Sequence, residues 1–133
     1  MIEKDLIREI EQRVGVSFSD RNLLLMAFTH RSYHNENPSW PLPHNERLEF
    51  LGDAVIEIVI THYLYNTYPN PEGELTAYRG ALVNSEMLES IARNLGLNDF
   101  LLLSRGEAED TGKARKYILA NTFEALVGAI YLD

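Results

Sequence analysis

The chain has 133 residues, of which 45% are hydrophobic, and this is enough for one domain with its own core. It contains no cysteine, which excludes disulfide bonds and thiolate metal sites, and its formal net charge of -8 is unusual for a protein that binds nucleic acid. The apolar segment from Ala54 to Ile60 is too short to cross a bilayer. Together with a charged amphipathic start, these features predict a cytoplasmic protein with no membrane partner.

Apolar residues at helical spacing predict an all-α fold. A first helix from Glu3 to Val14 ends at Gly15, and Asp20 can cap a second helix that runs toward His30. The loop from Asn35 to His44 is interrupted by three prolines. Four further helices are predicted at Glu46 to Tyr68, Glu74 to Val83, Ser85 to Leu95 and Lys116 to Leu132. No segment alternates between apolar and polar residues for long enough to predict a strand.

The helix predicted to start at Glu46 carries an acidic stripe. At about 100° per residue, its four acids fall within a sector of roughly 80°. They are Glu46, Glu49, Asp53 and Glu57. Phe50, Ile56 and Ile60 flank the stripe, so we expect this helix to be apolar nearly all round and to run through the centre of the domain. A buried carboxylate is costly unless it is paired or bound to a cation. Four acids on a helix that is expected to be buried therefore indicate a metal site.

The last predicted helix repeats the pattern. From Ile118 to Leu132 nearly all residues are apolar or small, and the polar exceptions Asn121 and Glu124 are one turn apart on one face. Gly128 follows on the same face, where a glycine costs about 1 kcal/mol relative to alanine. We therefore expect a neighbouring helix or a ligand to approach the backbone closely at Gly128.

Two such helices packed side by side would bring oxygen ligands together. The candidate metal ligands are Glu49, Asp53, Asn121 and Glu124. Carboxylate and amide oxygens without cysteine or paired histidine favour Mg²⁺, Mn²⁺ or Ca²⁺ over zinc or copper. A carboxylate-bridged di-iron bundle would instead need Glu-x-x-His pairs on its helices, and the sequence has none.

Residues 45 to 53 read NERLEFLGD, which resembles the signature of the ribonuclease III family, endonucleases that cut double-stranded RNA. Three further segments resemble that family in the same order and spacing: residues 25 to 33 (LMAFTHRSY), 71 to 75 (PEGEL) and 119 to 133. The resemblance covers essentially residues 1 to 133 and implies the family's endonuclease domain, a helical bundle around the acid-striped helix. Longer family members continue into a double-stranded-RNA-binding domain, which is absent from this chain.

The resemblance implies roles for individual residues. Glu49, Asp53 and Glu124 match the family's metal-binding carboxylates, with Asp53 and Glu124 as catalytic residues. Asn121 stands where the family motif has an aspartate that also binds metal. An amide oxygen can bind Mg²⁺ but carries no charge, so this cluster should hold cations more weakly.

Three other positions match supporting parts of the family pattern. Glu46 and Glu72 match acids that support the site or the subunit interface. Phe50 matches an aromatic residue that inserts into a partner subunit. The resemblance thus implies a homodimer in which two active sites line one RNA-binding valley.

The implied activity is hydrolysis of double-stranded RNA by a water activated by Mg²⁺, with Mn²⁺ as a substitute. The products would carry 5′ phosphate and 3′ hydroxyl ends, as needed in RNA processing. Consistent with this chemistry, the sequence has no Gly-x-Ser-x-Gly elbow and no Gly-rich phosphate loop. Because of Asn121 an alternative stays open: a catalytically impaired domain of the same fold that binds RNA or a ribonucleoprotein.

Lysine and arginine usually make the contacts to RNA phosphates. Four such residues cluster around the loop from Ser104 to Lys116, which we expect to be irregular and mobile. They are Arg105, Lys113, Arg115 and Lys116. These side chains are either ordinary solvated groups or a phosphate-contacting rim beside the metal site. Duplex RNA is recognised mainly through its shape, phosphates and 2′-hydroxyls, so we expect little base specificity.

Overall fold

The structure, a computed structural model, describes residues 2–133, and in these residues the regular elements are helices apart from one isolated bridge between Thr29 and Leu102. The helices are α1 (Ile2–Val14), α2 (Arg21–Phe28), α3 (Arg31–Glu36), α4 (Glu46–Thr67), α5 (Glu72–Leu82), α6 (Ser85–Asn94), α7 (Arg105–Glu109) and α8 (Lys113–Leu132), with a 3-10 turn at Leu97–Phe100. The all-α prediction is confirmed. In this described part of the chain, no helix is both long enough and apolar enough to cross a membrane.

The helix at the centre of the bundle is α8. It contacts α2, α4 and α6 and buries residues around most of its circumference. The fully buried side chains of the core come from several elements, α8 included, and among them are Ile10, Leu24, Phe28, Leu97 and Leu119. At about 25 cal/mol per Å² of apolar surface removed from water, this shared burial is the main stabilising contribution to the fold.

The long helix α4 packs against α8 through one narrow stripe. Its buried residues are Leu48, Gly52, Ile56 and Leu64. The prediction that α4 runs through the centre of the domain is wrong, because Phe50 is 82% exposed and Ile58 is 63% exposed. Helical periodicity identifies apolar faces, but it does not distinguish a face buried by the same chain from a face left open to a partner.

Two short helices and one helix start differ from the predictions. α3 has six residues and α7 has five, too few for an apolar repeat, so each depends on a side-chain cap. His30 Nδ1 accepts a hydrogen bond from the Ser32 amide, and Ser104 Oγ accepts one from the Glu107 amide, both at 3.2 Å. Since α8 already begins at Lys113, the segment predicted to be irregular is largely helical.

Candidate metal centre

The acidic stripe of α4 and the polar stripe of α8 face one open cleft. This cleft has a volume of about 550 Å³. It is lined by Glu46, Glu49, Phe50, Asp53, Asn121 and Glu124. The structure thus brings together all four residues that the sequence analysis names as metal ligands, two from each helix.

The carboxyl groups of Asp53 and Glu124 are close enough to share a hydrogen bond. Burial raises the pKa of Glu124 to about 8, and that hydrogen bond and the negative charges of Asp53 and Glu49 add to the shift. Burial also raises the pKa of Glu49, with further contributions from the charges of Glu46 and Asp53. Both shifts thus arise first from the partial burial of Glu49 and Glu124 and second from the negative charge of neighbouring carboxylates.

Positive side chains are paired with the ends of the acidic stripe and not with its middle. Arg31 Nη1 lies 3.5 Å from Glu46 Oε1, and Arg79 Nη2 lies 3.7 Å from Glu57 Oε1. Within residues 2–133, three acids of the cleft form no ion pair with lysine, arginine or histidine: Glu49, Asp53 and Glu124. These central acids lack the counter-charge that a bound divalent cation would provide.

The donor set has the chemistry of a site for a hard divalent cation. It consists of three carboxylates and one amide oxygen, which are ligands that Mg²⁺ and Mn²⁺ take from proteins. Among the described residues, no three His, Cys, Asp or Glu side chains already form a metal-binding arrangement. A cation shared by Asp53 and Glu124 would replace the hydrogen bond between their carboxyl groups.

The other predicted site residues lie in different places. Glu46 lines the cleft, and Phe50 stands at its rim with most of its surface exposed. Glu72 is in the first turn of α5 and lines a separate cavity of about 490 Å³ with Thr61 and Arg79. The structure therefore does not bring Glu72 into the cleft of its own chain.

Three of the four basic residues predicted as phosphate contacts are exposed. They are Arg105, Lys113 and Lys116. Lys113 and Lys116 line a cavity of about 700 Å³ between the first turns of α6 and α8. These two ammonium groups are therefore accessible to a ligand of negative charge.

Arg115 requires a correction, because it is an interior residue. It is only 5% exposed. Its guanidinium donates hydrogen bonds to Asn98 Oδ1 at 2.9 Å and to the carbonyl oxygens of Glu107 and Ala108 at 2.8 and 3.2 Å. Arg115 thus joins α7 to α8 and does not reach a surface phosphate. The sequence pattern does not distinguish the buried Arg115 from the exposed Lys116, because it predicts that the helix begins only at Lys116, whereas α8 begins at Lys113.

The sequence patterns do not point to Arg79, which lies at one end of this site. Its Nη1 donates a hydrogen bond to Thr61 Oγ1 at 3.0 Å, and its side chain lines a small cavity with Asp53. A signal for it exists in the spacing. Leu75 and Arg79 of α5 and Val83, the residue that caps its end, recur every four residues and are partly buried, so an arginine interrupts an otherwise apolar stripe.

An all-α fold with an oxygen-lined cleft between two crossing helices defines a helical domain with a candidate site for a divalent cation. The sequence profile of the family described as Ribonuclease-III-like matches residues 20–133. The chain belongs to this ribonuclease III-like family. The resemblance inferred from the motifs is thereby confirmed.

Curated relatives are similar along nearly the whole chain. A protein named Ribonuclease 3 from Enterococcus faecalis is 44% identical over 133 residues, which are 99% of this chain and 58% of that protein. Ribonuclease 3 from Oceanobacillus iheyensis is 48% identical over 128 residues, which are 96% of this chain and 56% of that protein. The chain therefore spans somewhat more than half the length of the curated relatives that it matches.

Solved structures agree with this assignment. The nuclease domain of ribonuclease III from Campylobacter jejuni, described for structural flexibility in a region involved in dimer formation, is 42% identical and has a TM-score of 0.84. The match covers 95% of this chain and 85% of that chain. A second structure of that nuclease domain gives a TM-score of 0.82 at 41% identity. The fold is therefore that of a ribonuclease III nuclease domain.

Proposed function

We propose that this chain is the catalytic domain of an endoribonuclease that hydrolyses phosphodiester bonds of double-stranded RNA in RNA processing. The observation that carries the proposal is the position of Asp53 and Glu124, which come from two helices, line one cleft and, within residues 2–133, form no ion pair with a positive side chain. Similarity to proteins named Ribonuclease 3 supports the same class of reaction. Residence in the cytoplasm stays a prediction from the sequence.

The proposed metal ligands line the cleft between α4 and α8, with Mg²⁺ as the natural ion and Mn²⁺ as a substitute. They are Glu49, Asp53, Asn121 and Glu124. Such ions, when bound, lower the pKa of the attacking water and neutralise charge on the scissile phosphate and the leaving oxygen. The contribution of the chain is positioning, because two packed helices hold the oxygen donors in one cleft before the RNA arrives. No nucleophilic side chain is required, and the products carry 5′ phosphate and 3′ hydroxyl ends.

Asn121 determines how strongly this cleft can hold a cation. Its amide oxygen is neutral, so an aspartate at the same position would add one negative charge to the ligand set. The second candidate function, a catalytically impaired domain that binds RNA, depends on this one residue. We favour activity because the three acids Glu49, Asp53 and Glu124 all line the cleft.

A homodimer is the assembly that the exposed surface of α4 favours. Phe50 is 82% exposed at the rim of the cleft, and Ile58, Val59 and Tyr63 further along the helix are 63%, 57% and 55% exposed. Such a run of large apolar side chains on one helix is typical of a protein interface. We propose that Phe50 inserts into a second copy of the chain, which would place the two clefts beside a shared interface.

The exposed basic residues Arg105, Lys113 and Lys116 are the proposed phosphate contacts. Each would neutralise one phosphate charge and thus offset part of the repulsion between RNA and a chain of net charge -8. Contacts of this kind set the position of a duplex without distinguishing its sequence.

A cleavage assay tests the proposed activity. With Mg²⁺, the chain should cut a labelled RNA duplex into products with 5′ phosphate ends. Glu124→Gln should lower the single-turnover rate by on the order of 100-fold, because it removes a charged oxygen ligand from the cleft. Glu9→Gln removes the same charge from an exposed position on α1 and should leave the rate unchanged.

Asn121→Asp separates the two candidate functions in the same assay. If the unmodified chain cuts the duplex and Glu124→Gln does not, the enzyme proposal is supported. If only Asn121→Asp cuts, the chain is the catalytically impaired form. If neither cuts the duplex with Mg²⁺ or Mn²⁺, the proposed function is contradicted.

A further inference from the structure

Arg79 shares a cavity with a central acid of the metal cleft. It lines a cavity of about 310 Å³ together with Asp53 and Glu57. Asp53 also lines the cleft between α4 and α8, so the two cavities adjoin at this carboxylate. A positive side chain from α5 therefore borders the site, although α5 contributes no residue to the cleft itself.

Two groups on α4 hold the guanidinium of Arg79 in place. Its Nη1 donates a hydrogen bond to Thr61 Oγ1 at 3.0 Å, and its Nη2 lies 3.7 Å from Glu57 Oε1. Glu57 and Thr61 are one and two turns beyond Asp53 on the same face of α4. Because both anchors belong to one rigid helix, the planar guanidinium has lost much of its rotational freedom before any ligand binds.

Arg79 retains donors for a further partner. A guanidinium has five N–H groups, and within residues 2–133 the contacts of Arg79 involve only Nη1 and Nη2. A third of the side chain, 33%, is exposed. Its ion pair with Glu57, which is 59% exposed, is of the solvent-screened kind that contributes at most about 1 kcal/mol. A phosphate group can therefore share the guanidinium without a large loss of stability.

We propose that Arg79 binds a phosphate of the RNA backbone next to the phosphodiester that occupies the metal cleft. This inference rests on the proposed function, since RNA is the ligand in both. The cleft is lined by acids that repel a polyanion, so a pre-positioned arginine at its border gives the RNA strand a fixed register relative to Asp53. Arginine suits this role because its planar fork can donate two hydrogen bonds to one phosphate.

Single-turnover cleavage of a labelled RNA duplex at increasing protein concentration tests this role. Arg79→Ala should raise the half-saturating protein concentration by roughly 5- to 20-fold and change the maximal rate by less than about threefold, since the metal ligands remain. The slope of the logarithm of the binding constant against the logarithm of the salt concentration should decrease in magnitude by about 0.7 to 0.9, the value for one phosphate contact. Arg79→Lys keeps the charge and should keep this slope.

Arg8→Ala is the matched control, because it removes the same charge from an exposed position on α1. It should alter neither the half-saturating concentration nor the salt slope. Circular dichroism verifies that Arg79→Ala keeps its helical content. If that variant is unfolded, Arg79→Gln takes its place, because glutamine retains a donor for Thr61. It should show the same rise in the half-saturating concentration and the same decrease in the salt slope.

The outcomes separate this inference from the proposed function. If the unmodified chain binds and cuts RNA while the folded Arg79 variant has an unchanged half-saturating concentration and salt slope, Arg79 does not bind phosphate. A loss confined to the maximal rate also overturns the inference, because it would indicate a structural role of α5. If the unmodified chain neither binds nor cuts the duplex, the proposed function fails and this inference fails with it.

Discussion

Gly52 and Gly128 face each other where α4 crosses α8, and neither position has room for a side chain. A Cβ atom built on Gly52 would overlap the carbonyl oxygen of Glu124, and one built on Gly128 would overlap the carbonyl oxygen of Leu48. The sequence predicts a close neighbour at Gly128, and the structure identifies that neighbour as α4. This direct backbone contact sets how close the acids of α4 lie to Glu124 and therefore determines the geometry of the cleft.

Gly52→Ala should lower the free energy of unfolding by about 2–3 kcal/mol, because the added methyl group must push two packed helices apart. Gly128→Ala should have an effect of the same size. Gly80→Ala is the control, since an added Cβ at this helical position of α5 meets no atom within 4 Å, and it should stabilise the chain by about 0.5–1 kcal/mol. Urea denaturation measures all three. A Gly52→Ala variant as stable as Gly80→Ala would contradict the close crossing.

Glu124 should make the stability of the metal-free chain decrease as the pH rises. Its pKa in the folded chain is about 8, above its ordinary value of 4.5. Between these pH values the folded state keeps a proton that the unfolded state has lost, so the contribution of Glu124 is full below about pH 4.5 and is lost as the pH rises toward 8. Because this side chain is only partly buried, we expect a loss of about 1–2 kcal/mol after solvent screening.

Thermal unfolding in EDTA between about pH 5 and 8, compared with Glu124→Gln, measures this contribution. Burial lowers the pKa of His30, so this side chain makes the folded chain less stable as the pH falls. Both proteins contain His30, and subtracting one stability profile from the other therefore removes its contribution. The Tm of the unmodified chain should fall relative to Glu124→Gln as the pH rises. Parallel profiles would contradict the raised pKa of Glu124 and therefore its partial burial beside Asp53.

Asn121→Asp should bind Mn²⁺ about 3- to 10-fold more tightly than the unmodified chain, because it adds a charged oxygen to the cleft. In EDTA the same variant should be less stable, since the extra charge repels the neighbouring acids. Isothermal titration calorimetry measures the affinity. Asn22→Asp, an exposed position on α2, carries the same change of charge and should leave Mn²⁺ affinity unaltered. Equal affinities for all three proteins would place the cation outside this cleft.

Arg115 and Lys116 are neighbours in the sequence and should have opposite phenotypes. Arg115→Met removes a buried guanidinium and leaves partly buried acceptors on Asn98 and α7 without donors, and it should destabilise the chain by about 2–4 kcal/mol. Lys116→Ala should change stability by less than about 0.5 kcal/mol but weaken binding to an RNA duplex and reduce its salt dependence. Urea denaturation and fluorescence anisotropy distinguish the two. A stable Arg115→Met variant with weakened RNA binding would indicate that Arg115 contacts RNA phosphates, as the sequence predicted.

Phe50→Ala should weaken self-association of the chain while leaving the fold of each copy intact. Because the ring is 82% exposed in the single chain, its loss removes little buried surface there, whereas an aromatic residue inserted into a partner is often worth 2 kcal/mol or more, roughly a 30-fold change in the dimer dissociation constant. Sedimentation velocity over a range of concentrations measures this change. Met87→Ala on α6, a 40% exposed position, is the control. Identical sedimentation of the unmodified chain and Phe50→Ala would exclude Phe50 from an interface.

The sequence by itself determined which residues share a helix face. Helical geometry is local, so the spacing of Glu49 and Asp53, and of Asn121 and Glu124, was sufficient to place each pair on one side of its helix. The motifs likewise identified the family, and the predicted all-α architecture follows from the same periodicity. The short helices α3 and α7 escaped prediction because capping side chains, rather than an apolar repeat, stabilise them.

Only the tertiary structure decided which faces meet and which remain open. It placed α8 rather than α4 at the centre of the bundle, turned Arg115 inward and brought Arg79 to the border of the cleft. These properties depend on contacts between residues far apart in the sequence, and a local pattern contains no information on the partner of each face. The pKa of Glu124 has the same origin, since its burial and its hydrogen bond to Asp53 exist only after α4 and α8 have packed together.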